Sequence, residues 1–297
     1  MRYHKVRPNQ AVASAATRNS GRNREHILCG FNAIQEALHV GTRKIETIWL
    51  AERKEGKRLR QVMELAAARG IPVEIVPPSQ VSEVAGTTAH QGIVAFVASN
   101  LLNFDQLTAR LAMQRPIPPL VVLDGVKDPR NLGAILRSAA AFGVGGVIMP
   151  ERRAVGMTAT VAKAAAGGLE HVAVAEVTNL SQSLERLKRL GFWIVGADEQ
   201  AENSCRTFVF PTPLALVLGG EGAGISPLVK RHCDALVCIP VQGPLRSLNV
   251  AVAAAVLFYE VVGRELRQRV ASAEAIPETS VVTHFRRPCK SRDLTSH

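Results

Sequence analysis

No stretch of this 297-residue chain is apolar for long: the longest run, Val250–Phe258, falls well short of the roughly 20 residues a membrane span needs. The amino-terminal segment lacks the apolar core of a secretory signal, so the expected location is cytoplasmic, with no membrane partner. Cysteine is sparse. Cys29, Cys205, Cys233, Cys238 and Cys289 are odd in number and scattered, which argues against a disulfide framework and for reduced thiols. His232 beside Cys233, with Cys238 further on, is too thin a ligand set to predict a metal, and Cys238 reads instead as part of an apolar strand Ala235–Ile239. Acidic groups are the minority, 25 against 36 Lys and Arg, which leaves a net charge of +11 and favours a polyanionic partner. The excess sits at the ends: residues 1–26 carry +5 and residues 264–297 carry +3, whereas the body Ile27–Gly263 holds only +3. Both ends are poor in periodic apolar residues and read as a basic flexible arm and a basic tail that attract phosphate without reading sequence; a merely solubilising terminus is the alternative.

The 47% hydrophobic content is enough for two cores. Gly30 opens a helical pattern at Ala33, Ile34, Ala37 and Leu38, and Ile45–Leu50 reads as a strand. Helix Arg58–Ala68, strand Val73–Val76, a helical turn near Ser79–Val84 and strand Gly92–Val97 complete a small α/β domain over residues 27–98. Residues 99–119, with Pro116, Pro118 and Pro119 clustered, suit a linker. From residue 120 to 263 strands and helices alternate: Leu120–Leu123, helix Leu132–Phe142, Val147–Met149, helix Ala159–Ala166, Val172–Ala175, helix Leu180–Leu190, Phe192–Val195, Leu214–Leu218, helix Pro227–Arg231, Ala235–Ile239 and helix Leu248–Val262. That order predicts an α/β domain with a parallel sheet covered on both faces, whose sites lie beyond the carboxyl ends of the strands.

Three loops in that position carry unusual residues. Asp124–Asn131 runs straight into a helix, so Asn131 is a natural N-cap, and Arg137 falls off the stripe Leu132, Ile135, Leu136 and Ala139. Gly219-Gly-Glu221-Gly-Ala-Gly224 follows a strand of pure apolar residues. Its glycines would let a ligand approach the backbone, but no Gly-Lys-Ser/Thr follows as in a phosphate-binding loop. Too little chain comes after it for a dinucleotide fold. Glu221, the single carboxylate, stands among glycines that hold a side chain poorly. Pro240–Asn249 leads into a helix apolar on nearly every side, with Ser247 or Asn249 as its cap. Singly, each loop has a plain reading as a cap or a turn.

Together, Asn131-Leu-Gly-Ala-Ile-Leu-Arg137, Leu218-Gly-Gly-Glu221-Gly-Ala-Gly224 and Ser247-Leu-Asn249-Val-Ala-Val252 resemble the SPOUT class (TrmH family) of RNA methyltransferases, in the branch that modifies ribose 2′-hydroxyls. Cys29-Gly-Phe-Asn-Ala-Ile-Gln-Glu-Ala-Leu38 and His90-Gln-Gly-Ile-Val-Ala95 are similar to the ribosomal-protein-like RNA-binding domain of the bacterial enzymes that methylate a guanosine of 23S rRNA. The resemblance covers roughly residues 27–263. It implies a trefoil-knotted methyltransferase domain, a homodimer, S-adenosylmethionine as methyl donor without a metal, and 23S rRNA rather than DNA as the partner. A tRNA or other rRNA site is the alternative target, and a non-catalytic RNA-binding protein the alternative from another class.

By position in the motifs, Gly219, Ile239 and Leu248 would hold the methyl donor, and Asn131, Arg137, Glu221, Ser247 and Asn249 would line the reacting centre. Two residues depart from the pattern: Ala251 stands where many relatives have serine, and Arg246 precedes Ser247 where a small or uncharged residue is usual. A guanidinium keeps its proton to above about pH 12, so Arg137 is expected to bind phosphate and stabilise charge on the 2′-oxygen rather than act as a base. Ser247, Asn249 and Asn131 are expected to orient groups, and Glu221 to hold Arg137 or accept the proton.

Overall fold

The computed structural model describes residues 27–52, 56–152, 154–244 and 247–271. The arm expected at residues 1–26, Arg246, and the chain beyond residue 271 with Cys289 lie outside the described residues. In the first domain β1 (Ile27–Cys29), α1 (Phe31–Val40), β2 (Ile45–Ala51), α2 (Lys57–Ala68), β3 (Val73–Val76), α3 (Pro78–Ala85) and β4 (Ile93–Val97) follow one another. Their sheet has the order β1-β4-β2-β3, with β4 antiparallel to β1 and β2, and β3 parallel to β2. β1 is absent from the sequence reading because three residues establish no period.

The second domain continues with β5 (Leu101–Leu102), α4 (Phe104–Ala112), β6 (Leu120–Asp124), α5 (Pro129–Ala141), β7 (Gly146–Pro150), α6 (Ala159–Ala165) and a 3-10 turn, Gly168–Glu170. It closes with β8 (Ala173–Val177), α7 (Leu180–Arg189), β9 (Trp193–Ala197), β10 (Asn203–Ser204), β11 (Leu214–Gly219), α8 (Pro227–Lys230), β12 (Ala235–Cys238) and α9 (Val250–Ala271). The eight strands form one all-parallel sheet in the order β10-β12-β9-β11-β6-β7-β8-β5. Alternate residues of each central strand feed two cores, as the two-residue period of a strand requires. Val121 and Leu123 pack with Val147 and Leu216 on one face, and Leu120 and Val122 with Ile148 and Val217 on the other.

Residues 99–119 are not a linker. β5 adds the last strand to the large sheet. α4 opens with a reciprocal cap between Asn103 and Gln106, and its Phe104, Leu107 and Leu111 are buried in the core that holds Leu120 and Ile148. The prolines after it masked a helical spacing that was present at 104, 107 and 111. A second correction concerns α5. It starts at Pro129, whose fixed φ suits a first helical position, and its N-cap is Asp128, whose Oδ1 accepts from Arg130 N at 2.7 Å. Asn131 is therefore inside the helix with its side chain free for other work. A third concerns α9, which runs to Ala271, so residues 264–271 belong to a helix and not to a tail.

The domains meet through α6 and the 3-10 turn. Cys29 Sγ donates to Ala159 O, Asn100 Nδ2 to Leu169 O at 3.1 Å, and His171 Nε2 lies 2.7 Å from Glu36 Oε1. Arg43 and Glu170 face each other at 3.7 Å, both buried. Burial pushes the Glu170 carboxyl above its ordinary range, against the opposing pull of the Arg43 charge. Among the described residues no helix is long and apolar enough to cross a membrane.

Candidate active site

β6, β11 and β12 end on one edge of the parallel sheet, and the three motif loops leave from that edge. Asp124, the last residue of β6, organises it. Its carbonyl accepts from Gly220 N at 2.8 Å and its carboxylate from Ser226 N at 2.7 Å, so both ends of the glycine loop hang from one residue. The loop closes on itself through a bridge between Gly220 and Gly224. A Cβ at Gly219 would sit 2.0 Å from the Gly224 carbonyl carbon, and one at Gly220 would sit 2.0 Å from Gly125 O. These two glycines are required by the protein's own backbone, whatever else approaches them.

Glu221 projects from the exposed crest of this loop and accepts from Asn131 Nδ2. Asn131 Oδ1 in turn accepts from Asn249 Nδ2 at 3.0 Å. Asn249 caps α9, its Oδ1 taking Ala251 N at 2.9 Å and Val252 N at 3.4 Å. Because Asn249 Oδ1 is committed to backbone donors, its amide nitrogen must point to Asn131, which must then donate to Glu221. The result is a one-way hydrogen-bonded chain from a helix N-terminus to a carboxylate, joining residues 131, 221 and 249 from three separate loops.

Arg137 is not part of it. Six residues beyond Asn131, it lies about 9 Å along the helix and a third of a turn round it. No hydrogen bond or ion pair holds its guanidinium among the described residues, so the expected contact with Glu221 is replaced by Asn131. The backbone at Arg137 is covered by Gly168, where a Cβ would come within 3.0 Å of Arg137 Cα. Its side chain instead lines a cavity of about 610 Å³ between the domains, together with Asn32, Gln35, His39, Gln61 and Glu64. Ser247 is exposed and has no hydrogen-bond partner among the described residues. Gly219 ends β11, Ile239 follows β12, and Leu248 stands two residues before α9 with 41% of its surface exposed.

A model of the SpoU rRNA Methylase family matches residues 118–259, and a model described as RNA 2'-O ribose methyltransferase substrate binding matches residues 27–101. A Bacillus subtilis protein assigned to the TrmH family of tRNA/rRNA methyltransferases, YacO, is 43% identical over 233 residues, 78% of this chain and 93% of its own. The chain belongs to the SpoU rRNA methylase family. A Staphylococcus haemolyticus relative assigned to the same TrmH group is 39% identical over 236 residues, 79% of this chain and 94% of its own. Among solved structures, the SpoU methyltransferase AviRb from Streptomyces viridochromogenes superposes with a TM-score of 0.71 at 25% identity, over 89% of this chain and 99% of that one. The same protein in complex with AdoMet gives a TM-score of 0.70 at 24% identity, over 89% of this chain and 100% of that one.

Within this SpoU chain the residues that the motif reading missed are Asp124 and the side chains facing Arg137. Asp124 had a signal, a lone carboxylate closing an apolar strand. Those on α1 and α2 had none, because their approach to α5 depends on how two domains dock. The His232 and Cys233 pair turns to local partners: His232 Nδ1 is 3.9 Å from Glu185 Oε1, and Cys233 Sγ donates to Val229 O. Among the described residues no trio of His, Cys, Asp or Glu converges on one point.

Proposed function

We propose that this RNA methyltransferase transfers the methyl group of S-adenosylmethionine to a ribose 2′-hydroxyl, with a guanosine of 23S rRNA as the target. The observation that carries the reading is the chain Asn249–Asn131–Glu221, which leaves Glu221 as the terminal acceptor at the carboxyl edge of the sheet. Asn131 occupies Oε1 of that carboxylate, so Oε2 is available to a ribose hydroxyl. Backbone at Gly219, Ile239 and Leu248 would hold the donor; the exposed Leu248 and Val241 beside the polar chain suit a ligand with a flat apolar base and a charged end. When bound, S-adenosylmethionine supplies a methyl group already activated by its sulfonium, so the protein's task is alignment and proton removal. Glu221 takes the 2′-proton, Asn131 and Asn249 hold the carboxylate in place, and Ser247 hydrogen-bonds the substrate. Arg137, turned toward the domain cleft, neutralises a phosphate beside the target nucleotide.

The preference for rRNA over tRNA rests on the 27–101 domain, which the related D-loop tRNA enzymes lack; its relatives are named for both substrates. We further infer a homodimer and a trefoil knot. α9 leaves Val252 and Tyr259, seven residues apart on one face, 51% and 56% exposed, which is an apolar stripe suited to a second copy. The knot reading is supported by the path of the chain: β11 inserts between β6 and β9, β12 crosses beyond β9, and α9 then returns to pack on α5 and β11. Mapping 2′-O-methyl positions in RNA from a strain lacking the protein tests the target. Loss of one position in 23S rRNA is expected; loss confined to tRNA would move the substrate, and no loss at all would oppose the reaction.

A further inference from the structure

The open cleft between the domains is lined mostly by exposed polar side chains. On α1 stand Asn32, Gln35, Glu36 and His39, on α2 Gln61 and Glu64, and across from them Arg137 on α5. One hydrogen bond between them is informative. Gln35 Nε2 donates to Gln61 Oε1 at 3.2 Å, which locks both amides and leaves Gln61 Nε2 as a free donor and Gln35 Oε1 as a free acceptor. Glu64, three residues after Gln61 and so on the same helix face, adds two acceptor oxygens with no partner among the described residues. His171 on Glu36 ties α1 to the second domain, and the buried Arg43–Glu170 pair ties the loop that follows α1. The cavity volume, about 610 Å³, is in the usual range for a site taking a small molecule or one residue of a polymer.

We propose that this cavity is a nucleobase pocket that reads a guanine neighbouring the methylated nucleotide. The proposal rests on the RNA reading above and adds a specificity determinant to it. Guanine offers one acceptor, O6, beside two donors, N1–H and the 2-amino group. Gln61 Nε2 meets O6, and the Glu64 carboxylate takes N1–H and the 2-amino group. Adenine places the N1 lone pair against that carboxylate and has no 2-amino group, so it withholds from Glu64 the two hydrogen bonds that guanine supplies. Arg137 lies at the wall of the cavity and holds the adjoining phosphate. Because Arg137 lies about 9 Å along the helix from Asn131, the base bound here belongs to a neighbour of the nucleotide whose ribose meets Glu221.

The test is equilibrium binding of the full chain to five-residue RNAs in which guanosine, inosine or adenosine is flanked by uridines, with penta-uridine as reference. Wild type is expected to bind the guanosine oligomer at least about tenfold more tightly than the adenosine one, with inosine, which lacks only the 2-amino group, between them. Glu64→Gln and Gln61→Ala are expected to reduce that preference to about twofold or less while leaving penta-uridine binding unchanged, and Arg137→Ala to weaken all four oligomers alike. Equal binding of the three purine oligomers by wild type, or a preference that survives in both Glu64→Gln and Gln61→Ala, overturns the proposal. No methyl transfer is needed for the readout. Failure of the pocket therefore leaves the methylation reading standing, and failure of methylation with base preference intact does the reverse.

Discussion

Asn131 shows how a residue acquires a role from what its neighbours already do. Asp128 caps α5 and Asn249 caps α9, so the two helix ends are satisfied locally and the Asn131 amide can link Asn249 to Glu221. Asn131→Ala removes both the donor to Glu221 and the acceptor for Asn249. Methyl transfer is expected to fall about 100- to 1000-fold, mainly in kcat, as losing a preorganised hydrogen-bond donor commonly does. Thermal stability should change by no more than about 1–3 kcal/mol, since each of the two hydrogen bonds lost contributes about 0.5–1.5 kcal/mol. Steady-state kinetics beside a melting curve check the pair. A second residue-scale prediction concerns Cys233. Burial pushes its thiol up to about 11, against the opposing pull of Lys188 and Lys230 and with smaller help from Asp234 and Asp124. Its thiolate is scarce at pH 8, and alkylation by iodoacetamide followed by peptide mass mapping should leave it unlabelled until the pH approaches that value.

At the scale of elements, the segment between the two sheets is the instructive case. α4 looked like part of a proline-rich connection, yet Leu107 is fully buried against the face of β6 and β7. Leu107→Ala should therefore cost about 2–5 kcal/mol, the penalty of a core cavity, where a linker residue would cost almost nothing. Chemical denaturation of the full chain measures it. The glycine loop carries a related lesson. The sequence offers ligand approach or a tight turn as reasons for Gly219 and Gly220, and the structure supplies a backbone one, the crossing of the loop over Gly125 and Gly224. The regular strands and helices were legible because their periods are long and unbroken. The two- and three-residue strands β1, β5 and β10 were not, since tertiary pairing and not local preference makes them strands.

For the whole molecule, residues 131, 221 and 249 are joined by hydrogen bonds, while Arg137 lies apart from them and Ser247 has no hydrogen-bond partner among the described residues. The position of Arg137 follows from the seat of the 3-10 turn on α5 and the docking of α1 and α2, contacts of long sequence separation that no pattern in the chain encodes. A monomer also leaves α9 incompletely covered. If a second copy covers Val252 and Tyr259, Val252→Arg will shift the molar mass measured by light scattering from dimer to monomer, while the wild type remains dimeric at micromolar concentration; a monomeric wild type contradicts the assembly.

The central claim is that Glu221, held by Asn131 and Asn249, serves methylation of a ribose hydroxyl. It is tested most directly by transfer of labelled methyl from S-adenosylmethionine into rRNA with wild type and Glu221→Gln, followed by mapping of the modified position. Label at a single 2′-oxygen with wild type, and about a hundredfold or greater loss in Glu221→Gln, is the predicted result. Label on a base, or undiminished transfer by Glu221→Gln, would contradict it.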